Sequence, residues 1–333
     1  MKKVLKYTAW VLAAIVVLAV AALLWAYQVA TSRYEKQWTV HKAEFPIPFP
    51  LKDDELAALR AERIAAGASA TDPLAGVDLQ AVALERAIRR GKHIVDSRTS
   101  CNGCHGNDFG GGTIIDFALI AHWVAPNLTS GEGSVIRGFT ANDWDRAVRH
   151  GVRHNGRTSS MPSEEFINLT DHELSDIVAY IRSMPPVNRD LGAVKIGPLF
   201  AWVIATDPKV LVAFTIDHDK PHAVEPPAEA PSVELGQHIV QVCRGCHGPT
   251  LSGGKLAGDP DMPIVANITP HETGLKSWSE SDFMRALREG KRKDGTVINT
   301  MMPWKAYGQM TDTEIKAVWA YLRTVPAVEK GNH

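Results

Sequence analysis

The sequence predicts a mainly α-helical protein: one N-terminal transmembrane helix followed by two tandem copies of one small helical domain. Three observations predict it. An uncharged apolar run, AWVLAAIVVLAVAALLWAY, extends from Ala9 to Tyr27. A long internal repeat relates the stretch after Gly91 to the stretch after Gly236. Within each copy, apolar positions recur at helical spacing between capping and stop signals.

The apolar run comes first. Nineteen helical residues reach roughly 28 Å, close to the hydrocarbon thickness of a bilayer. Lys2, Lys3 and Lys6 precede the run, which places the N-terminus in the cytoplasm and the bulk of the chain outside. Trp10, Trp25 and Tyr27 stand near its two ends, where an aromatic belt lies. A cleavable signal peptide also opens with basic and apolar regions. Here the run is longer than the usual apolar region, and no clean A-x-A site follows, so residues 1–30 are expected to remain as an anchor. Either reading exports the rest of the chain.

Residues 31–80 read as a stalk. FPIPFPL at Phe45–Leu51 suits extended, polyproline-like chain. DDELAALRAERIAAG at Asp53–Gly67 suits a short polar helix stopped by glycine.

The repeat organises everything beyond. GKHIV at Gly91–Val95 aligns with GQHIV at Gly236–Val240, and CNGCHG with CRGCHG. APNLT at Ala125–Thr129 aligns with VANIT at Val265–Thr269, and FTANDWDRAVRHG with WSESDFMRALREG. Met161–Pro162 aligns with Met302–Pro303. LTDHELSDIVAYIRSMP at Leu169–Pro185 aligns with MTDTEIKAVWAYLRTVP at Met310–Pro326. The first cysteines are 142 residues apart and the Met-Pro pairs 141, so few gaps separate the copies. In the last helix of each copy, Leu174, Ile177, Val178 and Ile181 match Ile315, Val318, Trp319 and Leu322 at i, i+3, i+4, i+7. Thr170 with Glu173, and Thr311 with Glu314, make capping boxes. Glycine-rich stretches, GNDFGGG at Gly106–Gly112 and LSGGKLAG at Leu251–Gly258, read as loops that bring backbone close to a flat ligand. These boundaries give domains at 81–186 and 232–333. The intervening 187–231 is an insertion or linker whose apolar middle is expected to pack on one or both domains.

Composition narrows the function. With 45% hydrophobic and 22% charged residues the chain is ordinary globular protein, and its net charge of −1 offers no basic field for nucleic acid. All four cysteines lie in the two CxxCH motifs, Cys101, Cys104, Cys243 and Cys246, leaving none for a structural disulfide or a separate catalytic thiol.

C-x-x-C-H is the attachment signature of c-type haem: two thiols become thioethers and the adjacent histidine ligates iron. Cys101/Cys104 with His105, and Cys243/Cys246 with His247, take those roles. A redox dithiol wants a βαβ context, which is absent. A closed zinc site wants four protein ligands, and each copy offers two cysteines. For the sixth iron ligand, Met161 follows His105 by 56 residues and Met302 follows His247 by 55. Thioether sulfur is a soft ligand that favours ferrous haem and raises the potential. Met301, Met262 and Met184 are rivals, as are His150 and His154 for the first haem; the last two also read as surface or propionate-side histidines. Asn127 and Asn267, each two residues before a threonine, can hydrogen-bond a haem propionate or the region of the methionine sulfur, or serve as plain loop-turn residues. His122, His218 and His222 have no counterpart in the other copy and default to exposed or structural roles.

Both copies resemble class I cytochrome c domains, with an N-terminal helix, CxxCH, a Met-Pro loop and a C-terminal helix. The whole chain resembles a membrane-anchored dihaem cytochrome c of bacterial respiratory chains. The resemblance implies two covalently attached haem c groups with His105/Met161 and His247/Met302 ligation. It also implies a single-pass protein of the bacterial cytoplasmic (inner) membrane with its haem domains periplasmic. The function expected is single-electron transfer between redox partners such as a dehydrogenase, an oxidase or a soluble cytochrome, without catalysis of its own. A haem-bearing subunit of a larger oxidase or dehydrogenase is the alternative. A dihaem peroxidase fits less well, because it needs one open iron position and both copies offer a matched methionine.

Overall fold

In a computed structural model the described residues are 2–255 and 263–331. Met262 and the end of the LSGGKLAG loop lie outside them. Helix α1 (Lys2–Tyr34) is followed by α2 (Asp53–Ala65), α3 (Leu79–Ile94) and the short α4 (Asn102–His105). Strands β1 (Gly112–Phe117) and β2 (Ala121–Ala125) precede α5 (Ala141–Arg149) and α6 (Asp171–Arg182). The insertion holds β3 (Lys195–Ile196) and α7 (Pro198–Thr206). The second copy comprises α8 (Val233–Ile239), α9 (Gln241–His247), α10 (Glu280–Glu289), α11 (Trp304–Tyr307) and α12 (Asp312–Leu322).

The chain folds into two compact units. One gathers Met1–Lys42, Cys104–Glu164 and Pro186–Lys220; the other gathers Ala43–Gly103, Glu165–Pro185 and Pro221–His333. These units do not follow the domain boundaries expected from the repeat. The reason is visible in the second unit, where α3 and α6 of the first copy pack with the second copy through buried ion pairs.

In the first unit, α1 is long and apolar enough to cross a membrane, and its side chains from Val4 to Leu24 stand mostly exposed. Its last turns bury Ala30 and Tyr34 against Ala201, Ile204 and Leu211 of the insertion. The insertion therefore packs, as its composition demands, and β3 extends an antiparallel β1–β2 hairpin. That small sheet was not expected: GNDFGGG leads into strand, with a bulge between Thr113 and Ile115. The segment after α1 is no free stalk either. Trp38 donates from its backbone N–H to Gly156 and stacks edge-on with Phe214.

In the second unit, each copy contributes an N-terminal helix crossed by its C-terminal helix. Leu174, Ile177, Val178 and Ile181 are all buried on α6, as are Ile315, Val318 and Leu322 on α12. Trp319 is half-buried against Phe283. Both capping boxes form. At the crossings stand Gly91 and Gly236. A Cβ on Gly91 would sit 1.9 Å from the carbonyl oxygen of Asp176, and one on Gly236 would sit 1.9 Å from that of Ala317. Backbone meets backbone there, and only glycine allows it. The stalk segment of this unit packs too: Ser175 Oγ donates to the Pro46 carbonyl at 2.8 Å, and Phe49 stacks on His172.

Candidate haem sites

The two histidines of the CxxCH motifs are oriented alike. His105 Nδ1 lies 2.9 Å from the Pro126 carbonyl oxygen, and His247 Nδ1 lies 2.7 Å from that of Ala266. Pro126 and Ala266 are counterparts in the repeat. A carbonyl only accepts, so each Nδ1 carries the proton and each Nε2 presents its lone pair. This is the tautomer, held by a backbone partner, that a metal-ligating histidine uses. Burial also lowers the pKa of both imidazoles against the smaller effect of those hydrogen bonds, which keeps them neutral.

The thiols of the second motif are unsuited to dithiol redox chemistry. Burial, with the neighbouring Cys246 adding to it, pushes the Cys243 thiol up to about 12, and burial pushes Cys246 up as well. A redox-active CxxC needs the opposite shift. Among the described residues, neither cysteine pair belongs to a cluster of three or more histidine, cysteine or carboxylate ligands. Among the described residues the zinc alternative therefore finds no further donors. None of the four cysteines is in a disulfide, and Cys104 and Cys246 are exposed. Accessible thiols beside a histidine with its Nε2 lone pair available fit covalent haem.

The methionine loops differ in a useful way. Met302 is half-buried against the core of the second copy, whereas Met301 is 54% exposed. The backbone turns Met302 inward: its N–H donates to the Asn299 carbonyl and its own carbonyl accepts from Trp304. In the first unit Met161 is half-buried in an irregular loop, its N–H donating to Ser159 Oγ at 3.3 Å.

Asn127 and Asn267 are buried and do the same work twice. Asn127 Oδ1 accepts from the backbone and hydroxyl of Thr129, and its amide donates to the Val187 carbonyl at 2.6 Å. Asn267 Oδ1 accepts from Thr269 in the same way, and its amide donates to Val328 at 2.7 Å. Each side chain thus pins the loop after CxxCH to the strand of chain beyond the C-terminal helix. Of the two roles open to them, the structure supplies partners for the loop role.

The rival histidines are engaged elsewhere. His150 is fully buried, with Nδ1 3.1 Å from His218 Nδ1, and His218 Nε2 donates to the Ala213 carbonyl. His150 is thus no surface residue, and His218 is structural. His154 Nδ1 pairs with Asp143 Oδ1 at 3.0 Å and its ring stacks on Phe139. His122 bonds Asp116 across the β1–β2 hairpin.

A profile of the cytochrome c family matches residues 88–185 and 233–326, more than half of the chain. The chain belongs to the cytochrome c family. Two cytochrome c domains thus follow one apolar helix, and such domains imply covalently bound haem c. The cytochrome c subunit of a quinone-linked alcohol dehydrogenase from Gluconobacter oxydans is 26% identical over 283 residues, covering 75% of this chain and 57% of the relative. The cytochrome c subunit of gluconate 2-dehydrogenase from Pantoea cypripedii is 26% identical over 278 residues, covering 72% and 60%. A diheme cytochrome c-type protein of Cereibacter sphaeroides is 27% identical over 231 residues, covering 62% and 73%. The cytochrome spans just over half the length of the two dehydrogenase subunits.

One feature of the cytochrome escaped sequence reasoning. His93 Nε2 donates to Glu314 at 2.8 Å, and His238 Nε2 donates to Glu173 at 2.8 Å. His93 aligns with His238 and Glu173 with Glu314, so the two pairs are one contact repeated about a local two-fold. Arg98 lies between them, donating to Glu173 at 2.7 Å and to Glu314 at 2.8 Å. Arg98 sits in a π-helical turn, Val95–Thr99, that the second copy lacks. The signal was present: the first copy has three more residues between its GxHIV and CxxCH motifs than the second.

Proposed function

We propose that this cytochrome is an electron carrier with two haem c groups, one on each CxxCH. Cys101 and Cys104 would hold one group and Cys243 and Cys246 the other. His105 and His247 would be the proximal ligands, Met161 and Met302 the distal ones. The bound haem supplies a one-electron iron couple. The chain's own residues would hold it: His105 and His247, neutral and aimed, and the sulfurs of Met161 and Met302 would be its protein donors, which would keep water and small ligands off. The observation that carries this reading is the matched pair of histidine tautomers, each enforced by a backbone carbonyl at the same place in the repeat.

The electron donor is proposed to be a membrane dehydrogenase, because relatives at similar identity are named as cytochrome c subunits of alcohol and gluconate dehydrogenases. The cytochrome would then sit on the outer face of the cytoplasmic membrane, tethered by α1, as a free carrier or as a subunit. The tether raises its effective concentration at membrane partners. No substrate pocket or catalytic side chain is needed for this role.

The test is a spectrum of the reduced protein with and without carbon monoxide, beside Met161→Ala and Met302→Ala. The wild type should show no change on adding the gas. Each variant should keep its covalent haem, bind carbon monoxide at one haem and show a lower potential for it. Wild-type spectra and potentials in both variants would overturn the ligand assignment.

A further inference from the structure

We infer that α7 and the tip of the β1–β2 hairpin form a second membrane contact, a lipid-interfacial seat beside the end of α1. This rests on the reading of α1 as a membrane span.

The observations converge on one surface of the first unit. Ile196–Thr206 carries no charge, and α7 within it exposes Leu199 at 55% and Trp202 at 44%, with Val203 also exposed. The hairpin tip exposes Phe117 and Leu119 at 53% and 52%. The two are joined: Leu199 donates its N–H to the Leu119 carbonyl at 2.9 Å, and Gly197 donates to Ile120 at 2.8 Å. Trp123 stacks on Phe200 beneath them, 5.6 Å between ring centroids. Large apolar side chains grouped on a surface mark an interface rather than ordinary exposure.

Continuity with α1 identifies the occupant. The uncharged run that starts at Ala9 needs about 20 residues to cross the hydrocarbon and so ends near Tyr27. The last turns of α1 carry α7. Trp25 meets Trp202 edge-on at 6.0 Å, and Ala30 and Tyr34 share a core with Ala201 and Ile204. The guanidinium of Arg33 donates to the Ile204 carbonyl. The apolar face of α7 thus begins at the depth where the lipid-exposed face of α1 ends. Paired tryptophans suit that depth, where an amphipathic ring keeps one edge wet. Lys195 and Asp207, both exposed, bracket the uncharged run, and Lys195 with the nearby exposed Lys209 can extend to headgroups. A protein partner would not need the patch to be continuous with a lipid-facing helix.

Nitroxide labels read the contact directly. Single cysteines are placed by Val17→Cys, Phe117→Cys, Leu199→Cys and Val297→Cys in the full-length, haem-loaded protein in phospholipid nanodiscs. Each spin is measured in the reduced state for its collisions with oxygen and with a water-soluble nickel chelate. Val17 is the lipid standard, and Val297, which is 70% exposed in the second copy, is the water standard. The oxygen-to-nickel ratio at 117 and 199 should exceed that at 297 several-fold and approach that at 17. A water-like ratio at 117 and 199 with a lipid-like ratio at 17 would overturn the seat and leave the patch to a protein. A water-like ratio at 17 would overturn the span itself, and the seat with it.

Discussion

Glu173 and Glu314 each serve two structures at once. Each closes the capping box of a C-terminal helix, and each takes charge from the other copy. Burial raises the Glu173 carboxyl, but hydrogen bonding and charge from His238, the charge of Arg98 and the Thr170 cap outweigh it and hold it at about 2. Glu314 is likewise raised by burial and drawn down to about 2, by His93, Arg98 and its Thr311 cap. The sign of the pH dependence follows. Both carboxylates lie below their ordinary value of 4.5 in the folded state, so their stabilisation is complete above that pH and is lost as pH falls towards 2. Circular dichroism should show the cytochrome losing stability progressively between about pH 4.5 and 2. A midpoint unchanged across that window would contradict the pairing. Arg98→Met removes the cation shared by both carboxylates. Breaking a buried pair from one side costs about 3 kcal/mol, so a clear fall in the denaturation midpoint is expected. The capping role of these glutamates was legible in Thr-x-x-Glu. The charge pairs were not, because they join residues 65 and 221 positions apart.

Among elements, the helix crossings were the most legible. Apolar spacing on α6 and α12 identified the buried faces residue by residue, because a 3.6-residue period leaves one solution for a helix lying on a core. Gly91 and Gly236 opened their aligned motifs, but what each met across the crossing was not visible in one dimension. Gly91→Ala or Gly236→Ala drives a methyl into a carbonyl oxygen. Overpacking of this kind costs typically 1–3 kcal/mol and more where backbone cannot yield. A lower thermal midpoint and a reduced yield of haem-loaded protein are expected for either. An unchanged midpoint would mean that the crossing tolerates a wider separation. The β1–β2–β3 sheet was missed because glycine-rich sequence reads as loop and because β3 lies some seventy residues beyond β2. The packing of the stalk segment was not legible for a related reason. Proline and aromatic residues suggest extended chain, and extended chain packs as readily as it dangles when Trp38, Pro46 and Phe49 find partners.

At the scale of the whole molecule, duplication explains why two motifs exist: each of the two cytochrome c domains carries its own CxxCH. The copies are not interchangeable. The first carries the π-helical turn with Arg98, and the second answers with Glu314 from its last helix. The candidate haem ligands were legible because covalent attachment forces a short contiguous motif on the chain. The candidate methionines, Met161 and Met302, were legible only through their alignment between the two copies. The most direct test of the account is the intact mass of the purified full-length protein together with its pyridine haemochrome spectrum. The account predicts a chain carrying two covalent haems, with all four cysteines consumed as thioethers. A mass showing free thiols, bound zinc or a single haem would contradict it.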